Sequence, residues 1–250
     1  MRPIKHKIIM AKQHRRVLLK ISGEVLQGSS QFGQDLKALE YVSKEIASLA
    51  KHNIQTCLVV GAGNFIRGKQ FAKETLINHT TADYMGMLAT VMNALALQCA
   101  LTTFGLKVTV FSSVPMHTVC EPYSYAKALR NLEKGNVVIF AGGTGNPYVT
   151  TDTVSVIKAS EMECDFILKG TQVDGVYDSD PKENKNAKFY EKISYNEVLS
   201  QRLEVMDLSA IHIAKNNNLP ILIFNLHKKG NLINVVNQDK TKNNNFSIIS

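Results

Sequence analysis

The sequence lacks several features that define other classes of protein. Its 250 residues contain no tryptophan, and its four cysteines, Cys57, Cys99, Cys120 and Cys164, form no C-x-x-C pair or other metal-ligand spacing. We therefore expect reduced thiols rather than a disulfide framework or a zinc site. No uninterrupted apolar run approaches the roughly 18 residues of a membrane span, and residues 1–20 lack the apolar stretch of a secretory signal. These absences predict a soluble, cytoplasmic protein.

Acidic residues are missing from the first 20 positions, which hold seven lysines and arginines. The other 230 residues carry 22 basic and 21 acidic side chains, so the net charge of +8 is mostly confined to the N-terminus. A nucleic-acid-binding face usually spreads its basic residues between stacking aromatics. We expect residues 1–12 to form a basic, disordered arm and residues 13–250 to form a single domain. Nucleic-acid binding through the arm is the alternative.

Apolar, β-branched runs alternate with helical patterns along the chain. Strands are predicted at 16–21, 55–60, 107–111, 137–141, 165–168 and 221–225, and helices at 35–52, 80–101, 123–134, 152–163 and 207–217. Strands separated by helices imply right-handed crossovers and a mainly parallel sheet that is covered on both faces. The predicted fold class is therefore α/β. The polar stretch 178–188 is a candidate excursion between two functional halves.

Small and charged residues follow four of the predicted strands, at 20–24, 61–68, 142–152 and 169–171. Because ligands bind beyond the carboxyl ends of parallel strands, we expect these segments to meet at one edge of the sheet. Glycines allow backbone N–H groups to approach a ligand closely, and helix N-termini favour anions. Together with two lysines and an arginine, this pattern is typical of a polyphosphate site whose cations neutralise a moving phosphoryl group.

Several common catalytic motifs are missing. The chain has no G-x-x-x-x-G-K-[ST], no complete dinucleotide fingerprint, no H-E-x-x-H and no nucleophile elbow. Three acids near the expected site each have a structural alternative. Asp83 can form a capping-box-like pair with Thr80, Asp152 can complement a helix dipole from the first turn, and Asp207 can cap a helix.

Five segments carry longer matches: LLKISGE from Leu18, GAGNFIRG from Gly61, ADYMGMLATVMNALAL from Ala82, GTGNPYVTTD from Gly143 and MDLSA from Met206. Together they resemble the bacterial-type uridylate (UMP) kinases of the amino-acid kinase family, over residues 16–226. The resemblance implies a three-layer α/β/α sandwich around a mainly parallel sheet. It also implies transfer of the ATP γ-phosphoryl group to UMP, giving UDP and ADP in pyrimidine synthesis, with Mg²⁺ held mainly by the nucleotide phosphates rather than by protein ligands.

The resemblance also assigns roles position by position. Catalytic positions are matched by Lys20, Arg67, Asp152, Lys169 and Asp207. ATP-binding positions are matched by Lys20, Ile21, Ser22, Gly23, Gly63, Arg67, Thr171, Tyr177 and Asp180. UMP-binding positions are matched by Ala62, Asp83, Thr144, Gly145, Asn146, Pro147, Tyr148, Val149, Thr150 and Thr151. No covalent nucleophile is expected, because in-line transfer to a phosphate oxygen needs mainly alignment and charge neutralisation.

Two further expectations concern contact with UMP and regulation. The family usually has glycine at the position of Ala62, and we expect the backbone contact to UMP to survive because alanine keeps the N–H donor. A short segment resembles the loop associated with allosteric GTP in hexameric members, with a flexible turn as the alternative: Gly28, Ser29, Ser30, Gln31, Phe32 and Gly33. A homohexamer, to which the helix at 80–101 contributes, and inhibition by UTP are family expectations.

Two other hypotheses stay open on the sequence. A kinase of the same fold that acts on a carboxylate or carbamate would differ in its post-strand contacts, and a substrate panel would identify it. A non-catalytic member that binds a nucleotide or an oxyanion would not need Lys20, Arg67, Asp152 and Lys169 together.

Overall fold

The computed structural model describes residues 15–66, 76–238 and 245–250. The strands in these residues are β1 (Arg16–Ile21), β2 (Gln55–Val60), β3 (Val108–Ser112), β4 (Glu121–Pro122), β5 (Val137–Ala141), β6 (Phe166–Thr171), β7 (Val176–Tyr177), β8 (Phe189–Tyr190), β9 (Lys192–Ile193), β10 (Ile221–Asn225) and β11 (Phe246–Ile249). Nine of them form one sheet in the order β4-β3-β5-β2-β1-β6-β10-β11-β9, and β7 pairs with β8. All neighbours in the large sheet are parallel except β10 and β11.

Helices cover both faces of the sheet. Those in the described residues are α1 (Gly23–Gln27), α2 (Leu36–Lys51), α3 (His79–Thr103), α4 (Tyr125–Glu133), α5 (Thr151–Glu161), α6 (Tyr195–Ser200), α7 (Leu208–Asn216) and α8 (Asn231–Val236). One core cluster contains residues of α2, α3 and α8, and the other contains residues of α4, α5, α6 and α7. Successive strand side chains alternate between these clusters, as Leu18 and Leu19 do in β1. The predicted three-layer α/β/α fold is confirmed.

The predicted strands and helices are present with small shifts at their ends, but several short elements were missed. β6 extends to Thr171 because Lys169 and Gly170 still pair with β1 and β10, although their polarity ended the predicted strand. The missed elements are α1, α6, α8, β4, β7, β8, β9 and β11. Most have two to six residues, too few for a periodic pattern to indicate them. The polar stretch 178–188 connects β7 to β8.

The predicted capping pair of Thr80 and Asp83 is wrong. Helix α3 begins one residue earlier, and Asn78 caps it by accepting a hydrogen bond from the backbone N–H of Thr81 at 2.9 Å. Asparagine and threonine are both favoured as caps, so the local sequence did not distinguish the two starts. The Asp83 carboxylate is therefore not needed by the helix end.

The predicted capping role of Asp207 is also wrong. Asp207 occupies the N-cap position of α7, but its side chain makes no capping hydrogen bond. It accepts a hydrogen bond from the Thr150 hydroxyl, on the neighbouring helix start. Asp152 lies in the first turn of α5, as expected.

Helix α3 is apolar on two sides. Met87 and Val91 are buried in the core, whereas Leu88 and Met92 are 46% and 52% exposed. By length and a mean hydropathy of 1.4 it meets the criteria for a membrane span, which the absence of a long uninterrupted apolar run did not indicate. Because 44% of that window is buried inside the fold, α3 serves as a core helix of this domain.

The predicted arm, residues 1–12, lies outside the described residues. Its separation from a domain at 13–250 stays a prediction.

Candidate active site

Two lysines lie side by side near the carboxyl ends of adjacent parallel strands. Lys20 in β1 pairs in register with Lys169 in β6, so both side chains project from the same face of the sheet. Helix α5 covers this face and presents Asp152 from its first turn. One carboxylate oxygen lies 2.9 Å from Lys20 Nζ, and the other lies 3.0 Å from Lys169 Nζ. Sheet pairing and the helix start thus assemble a cluster of two cations around one carboxylate.

This cluster is largely shielded from water. The side chains of Lys20, Asp152 and Lys169 are 9%, 14% and 15% exposed. Burial raises the pKa of Asp152, but the charges and hydrogen bonds of both lysines outweigh it, so this pKa lies below its usual value. Burial lowers the pKa of Lys169, an effect that Asp152 opposes and Lys20 reinforces. With both lysines protonated, these three side chains carry a net charge of +1, and the nearby Asp207 carboxylate, which lines the same cavity, also acts on Lys169.

The first and second predicted phosphate loops pack backbone against backbone. The N–H of Gly61 donates to the carbonyl of Ile21 at 2.8 Å. A Cβ atom on Gly23 would lie 2.5 Å from the nitrogen of Gly63 and 2.5 Å from Asn64 Oδ1, so only glycine fits here. The close packing brings the backbone of both loops to the same edge of the sheet, beyond β1 and β2.

Ala62 occupies this second loop without backbone strain. It does not adopt a positive φ, so its methyl group meets no conformational penalty, and its carbonyl accepts the N–H of Phe65 at 2.9 Å. Ser22 lies in the first loop at the N-cap of α1. Arg67 lies outside the described residues, so its predicted role stays a prediction.

The 144–151 segment is held in place by α3 and by the start of α7. The backbone N–H of Tyr148 donates to Asp83 Oδ2 at 2.7 Å, and the Tyr148 hydroxyl lies 3.1 Å from Thr80 Oγ1. The Thr150 hydroxyl donates to Asp207. These contacts stabilise Tyr148 in a left-handed conformation with φ +66°, which costs a non-glycine residue free energy.

The remaining residues of this segment form its turn and the helix start. The hydroxyl of Thr144 accepts the N–H of Asn146 at 3.2 Å, and Gly145 has φ +82°, a conformation that favours glycine. Thr151 begins α5, and its Oγ1 would lie 3.6 Å from a Cβ atom on Gly61. The helix start and the second loop are therefore neighbours. Pro147 and Val149 complete the predicted segment.

His79 is a site residue that the sequence motifs did not indicate. Its ring contacts Tyr148 edge-on with centroids 4.8 Å apart, and its Nε2 lies 3.7 Å from Asp83 Oδ1. His79 precedes Asp83 by four residues, and residues at this spacing are neighbours on a helix face. That spacing is the signal that could have identified it.

Two adjoining cavities flank the cluster on the side of the 144–151 segment. A cavity of about 460 Å³ is lined by Asp152, Lys169 and Asp207. A cavity of about 690 Å³ is lined by Asp83, Thr150 and Asp207. Because Asp207 lines both, the lysine–aspartate cluster opens toward the residues predicted to bind the acceptor.

A third cavity adjoins the one beside Lys169. It measures about 470 Å³ and is lined by Tyr177 and Asp180, two of the residues predicted to contact the nucleotide donor. Residues 202–205 line both this cavity and the one beside Lys169. Thr171 contributes less directly, since its hydroxyl donates to the carbonyl of Val173, another lining residue, at 2.7 Å. The cavity beside Lys169 therefore adjoins both the cavity lined by Tyr177 and Asp180 and the cavity lined by Asp83 and Thr150.

The predicted effector segment, residues 28–33, lies against the second loop. The N–H of Gly33 donates to the carbonyl of Asn64 at 2.9 Å, and the ring of Phe32 contacts that of Phe65 edge-on at 5.4 Å. The segment is thus in direct contact with the candidate site, and its regulatory role stays a prediction.

The donor set suits a cation held mainly by substrate oxygens. Among residues 15–66, 76–238 and 245–250, no group of three or more acidic, histidine or cysteine side chains forms a metal site. Mg²⁺ is commonly bound by one or two carboxylates together with substrate phosphates. Asp207, which lines the cavity of about 460 Å³ beside Lys169, is a carboxylate of that kind, whereas both oxygens of Asp152 lie within 3.0 Å of an ammonium group.

The sequence also matches a known protein family. The amino acid kinase family model matches residues 15–225. A mainly parallel sheet with two lysines and glycine-containing loops at its carboxyl edge is suited to binding phosphate groups. The chain belongs to the amino acid kinase family.

Within that family the chain is similar to uridylate kinases. Those of Rickettsia prowazekii and Helicobacter hepaticus are each 49% identical to it, over 93% and 91% of this chain and 95% and 97% of their own lengths. The crystal structure of UMP kinase from Ureaplasma parvum matches with a TM-score of 0.89 and 37% identity, covering 95% of this chain and 99% of that one. The UMP kinase of Bacillus anthracis gives a TM-score of 0.89 and 39% identity, covering 95% and 96%. The resemblance stated from the motifs is confirmed.

Proposed function

We propose that this protein transfers the γ-phosphoryl group of ATP to UMP, giving UDP and ADP. The relatives at 49% identity are uridylate kinases, and the match extends over more than nine tenths of this chain. The observation that carries the proposal is the cluster of Lys20, Asp152 and Lys169 between two cavities. The net positive charge of these three side chains supports the proposal, because a transferring phosphoryl group is anionic.

The chain's own residues supply alignment and charge neutralisation. Lys20 and Lys169 stabilise the negative charge on the oxygens of the transferring group, and Asp152 holds both ammonium groups in position before the substrates arrive. The UMP phosphate already presents an anionic oxygen as the attacking atom. The transfer forms a bond from that oxygen to the γ-phosphorus and breaks the bond to the β–γ bridging oxygen, which leaves on ADP. No general base is required.

The two substrates occupy opposite sides of the cluster. On the acceptor side, Asp83 and Asp207 hold the 144–151 segment around UMP. On the donor side, Tyr177 and Asp180 line the cavity for the adenosine part of ATP. The first and second loops present backbone N–H groups to the phosphates, and the charge of Arg67, whose role rests on the sequence alone, contributes to neutralising them. When bound, Mg²⁺ would be held mainly by the nucleotide phosphates and would supply neutralisation of their charge.

Regulation and assembly belong to the same proposal. GTP activates the enzyme through the 28–33 segment, UTP inhibits it, and the protein acts as a homohexamer in the cytoplasm. The contact of Gly33 with Asn64 links the segment to the second loop. The exposed Leu88 and Met92 on α3 provide apolar surface for contact between subunits.

A coupled assay tests the function directly. The chain is supplied with MgATP and, in separate reactions, with each nucleoside monophosphate, acetylglutamate, aspartate and carbamate, with and without GTP. Turnover of UMP alone is the expected result. The Lys20→Met variant measures the background from contaminating kinases. Turnover of a carboxylate or carbamate instead would move the function to another kinase of this fold, and ATP binding without turnover would favour the non-catalytic alternative. Saturation curves that are identical with and without GTP would remove the effector role.

A further inference from the structure

Two asparagines form a reciprocal pair beneath the second loop. Asn93, in the middle of α3, is fully buried, and Asn64 is 2% exposed. The amide of Asn93 donates to Asn64 Oδ1 at 2.8 Å, and the amide of Asn64 donates to Asn93 Oδ1 at 2.9 Å. Side-chain amides are rarely buried so completely, because each unpaired N–H or C=O there would lose its hydrogen bonds to water without replacement.

Each asparagine uses its second N–H on a backbone carbonyl. Asn93 donates to Gly61 at 2.8 Å, and Asn64 donates to Gly33 at 2.8 Å. The Asn93 carbonyl oxygen also accepts the amide of Gln34 at 2.8 Å. All four amide hydrogens of the pair are therefore satisfied, which makes the network rigid and specific in geometry.

The network acts on the part of the loop that approaches the phosphates. A carbonyl fixed at Gly61 fixes the plane of the following peptide, and with it the direction of the Ala62 N–H. The same loop contacts Gly23 of the first loop, where Asn64 Oδ1 closes the space that a Cβ atom would fill. A small shift of the Gly61 carbonyl would therefore move both loops relative to the lysine–aspartate cluster. Misplacement of this kind strongly lowers the rate of phosphoryl transfer.

We propose that Asn93 is a positioning residue for phosphoryl transfer, which acts through the Gly61 carbonyl and, together with Asn64, joins the 28–34 segment to the second loop. The inference rests on the proposed function, since the second loop matters for catalysis only if it faces the phosphates. Asn93 itself contacts neither lysine nor Asp152 in the network described above.

The test compares Asn93→Leu with a matched control, Asn131→Leu, in the full chain. Asn131 also accepts two hydrogen bonds, from Thr109 and Asn136, but at the amino ends of the strands. We expect Asn93→Leu to lower kcat for UMP phosphorylation at least tenfold, with KM for both substrates changed less than threefold. Asn131→Leu is expected to keep kcat within twofold. A kcat within twofold of the unchanged chain in Asn93→Leu overturns the inference.

Two aspartate variants separate the two arms of the network. Asn93→Asp keeps the acceptor oxygens but loses the donors to Gly61 and to Asn64, and we expect a loss in kcat comparable to that of Asn93→Leu. Asn64→Asp loses the donors to Gly33 and to Asn93 but keeps an acceptor for the Asn93 amide and leaves the contact of Asn93 with Gly61 in place, so its kcat is expected to fall less than threefold. Equal losses in both variants would overturn the assignment of positioning to the Gly61 contact. If Asn93→Leu does not fold, Asn93→Asp carries the same test.

Hydrogen exchange provides a readout that does not depend on activity. The N–H groups of Phe65 and Ile66 both bond to the Ala62 carbonyl, so their exchange reports the order of the second loop. We expect exchange at least tenfold faster in Asn93→Leu and unchanged in Asn131→Leu. Unchanged exchange in Asn93→Leu overturns the inference even when UMP is a substrate. Absence of UMP turnover in the unchanged chain contradicts the proposed function alone, because the exchange measurement still tests the positioning.

Discussion

The two ends of helix α5 each hold a buried lysine against a carboxylate, but the two clusters differ in composition. At the first turn, the two oxygens of Asp152 lie 2.9 and 3.0 Å from the ammonium groups of Lys20 and Lys169. At the last turn, Lys158 lies 2.8 Å from one oxygen of Glu161. The first cluster has one more cation than anions, and the second is balanced.

Their surroundings differ as well. The first cluster lies at the carboxyl edge of the sheet and opens onto cavities. In the second, the ammonium group of Lys158 lies 3.2 Å from the ring centroid of Tyr123 and 5.7 Å from that of Phe140, which close over it. A balanced lysine under aromatic rings contributes to stability through ion pairing and cation–π contact. Two lysines that share one carboxylate beside a cavity are suited to an incoming anion. The charge balance of a cluster and its access to a cavity therefore distinguish a functional lysine from a structural one.

The largest expected effect is that of Lys169→Met. Removal of one cation from the transition state is expected to lower kcat for UMP phosphorylation about 100- to 1000-fold. The fold should remain stable, because Lys20 still pairs with Asp152 and one buried like-charge contact disappears. Steady-state kinetics and thermal unfolding measure the two effects. A kcat within threefold of the unchanged chain would contradict the functional reading of the first cluster.

The same substitution at the other end of the helix is expected to act on stability alone. Lys158→Met should keep kcat within twofold and lower the free energy of unfolding by about 1 to 2 kcal/mol, because Glu161 loses its cationic partner in a partly buried position and keeps only the Tyr123 hydroxyl. Urea denaturation measures the loss. The control is Lys127→Met, which breaks an exposed pair with Glu121 at 3.0 Å and should cost less than about 1 kcal/mol. A large loss of activity in Lys158→Met would break the comparison.

The sequence predicted the first cluster better than the second. Lys20 and Lys169 each lie at the end of a clear apolar strand, and parallel pairing brings such ends together. Asp152 begins a helix after a glycine-rich turn and also matches a family motif. Lys158 had no such signal. Its burial depends on Tyr123 and Phe140, which are close in space but distant in sequence.

Long-range polar contacts explain most of what was missed. Asn93 lies in a long apolar helix, and its partner Asn64 lies in a loop 29 residues earlier, so no local pattern relates them. Likewise, the local sequence indicates a capping role for Asp83, whereas the structure shows that its carboxylate accepts a hydrogen bond from Tyr148. Strand β11 pairs antiparallel to β10, and only tertiary contact selects that partner for so short a run.

The two ends of α5 are also expected to respond to opposite extremes of pH. The pKa of Asp152 is lowered, so its contribution to stability is present above about pH 4, the unfolded value, and is lost as pH falls through the folded value. Burial, aided by the hydrogen bond to Glu161, raises the pKa of Tyr123. The contribution of Tyr123 is therefore complete below about pH 10, the unfolded value, and declines as pH rises above it.

Tyr123→Phe tests the alkaline half of this contrast. Between about pH 9 and 11, the free energy of unfolding of the variant should fall less than that of the unchanged chain, because the variant lacks the phenol whose pKa differs between the folded and unfolded states. Urea denaturation at each pH measures this free energy. Tyr195→Phe is a useful companion variant. Burial raises the pKa of Tyr195 to about 12 without a contribution from Glu161, so this variant should also reduce the loss of stability at alkaline pH. Parallel pH profiles for Tyr123→Phe and the unchanged chain would show that the second cluster does not contribute in this range.

The smallest expected effect is that of Ala62→Gly. Alanine and glycine present the same backbone N–H, and Ala62 has no positive φ to relieve, so KM for UMP should change less than tenfold and kcat less than threefold. Stability should fall by about 0.4 to 1 kcal/mol, because glycine gives the unfolded chain more freedom. Steady-state kinetics with varied UMP measure the contact. A KM lowered tenfold or more would mean that the methyl group crowds the nucleotide. The shape of the second loop, and not only the charge of the first cluster, would then limit the activity. Charge balance alone would no longer explain why one end of α5 serves the reaction and the other serves stability.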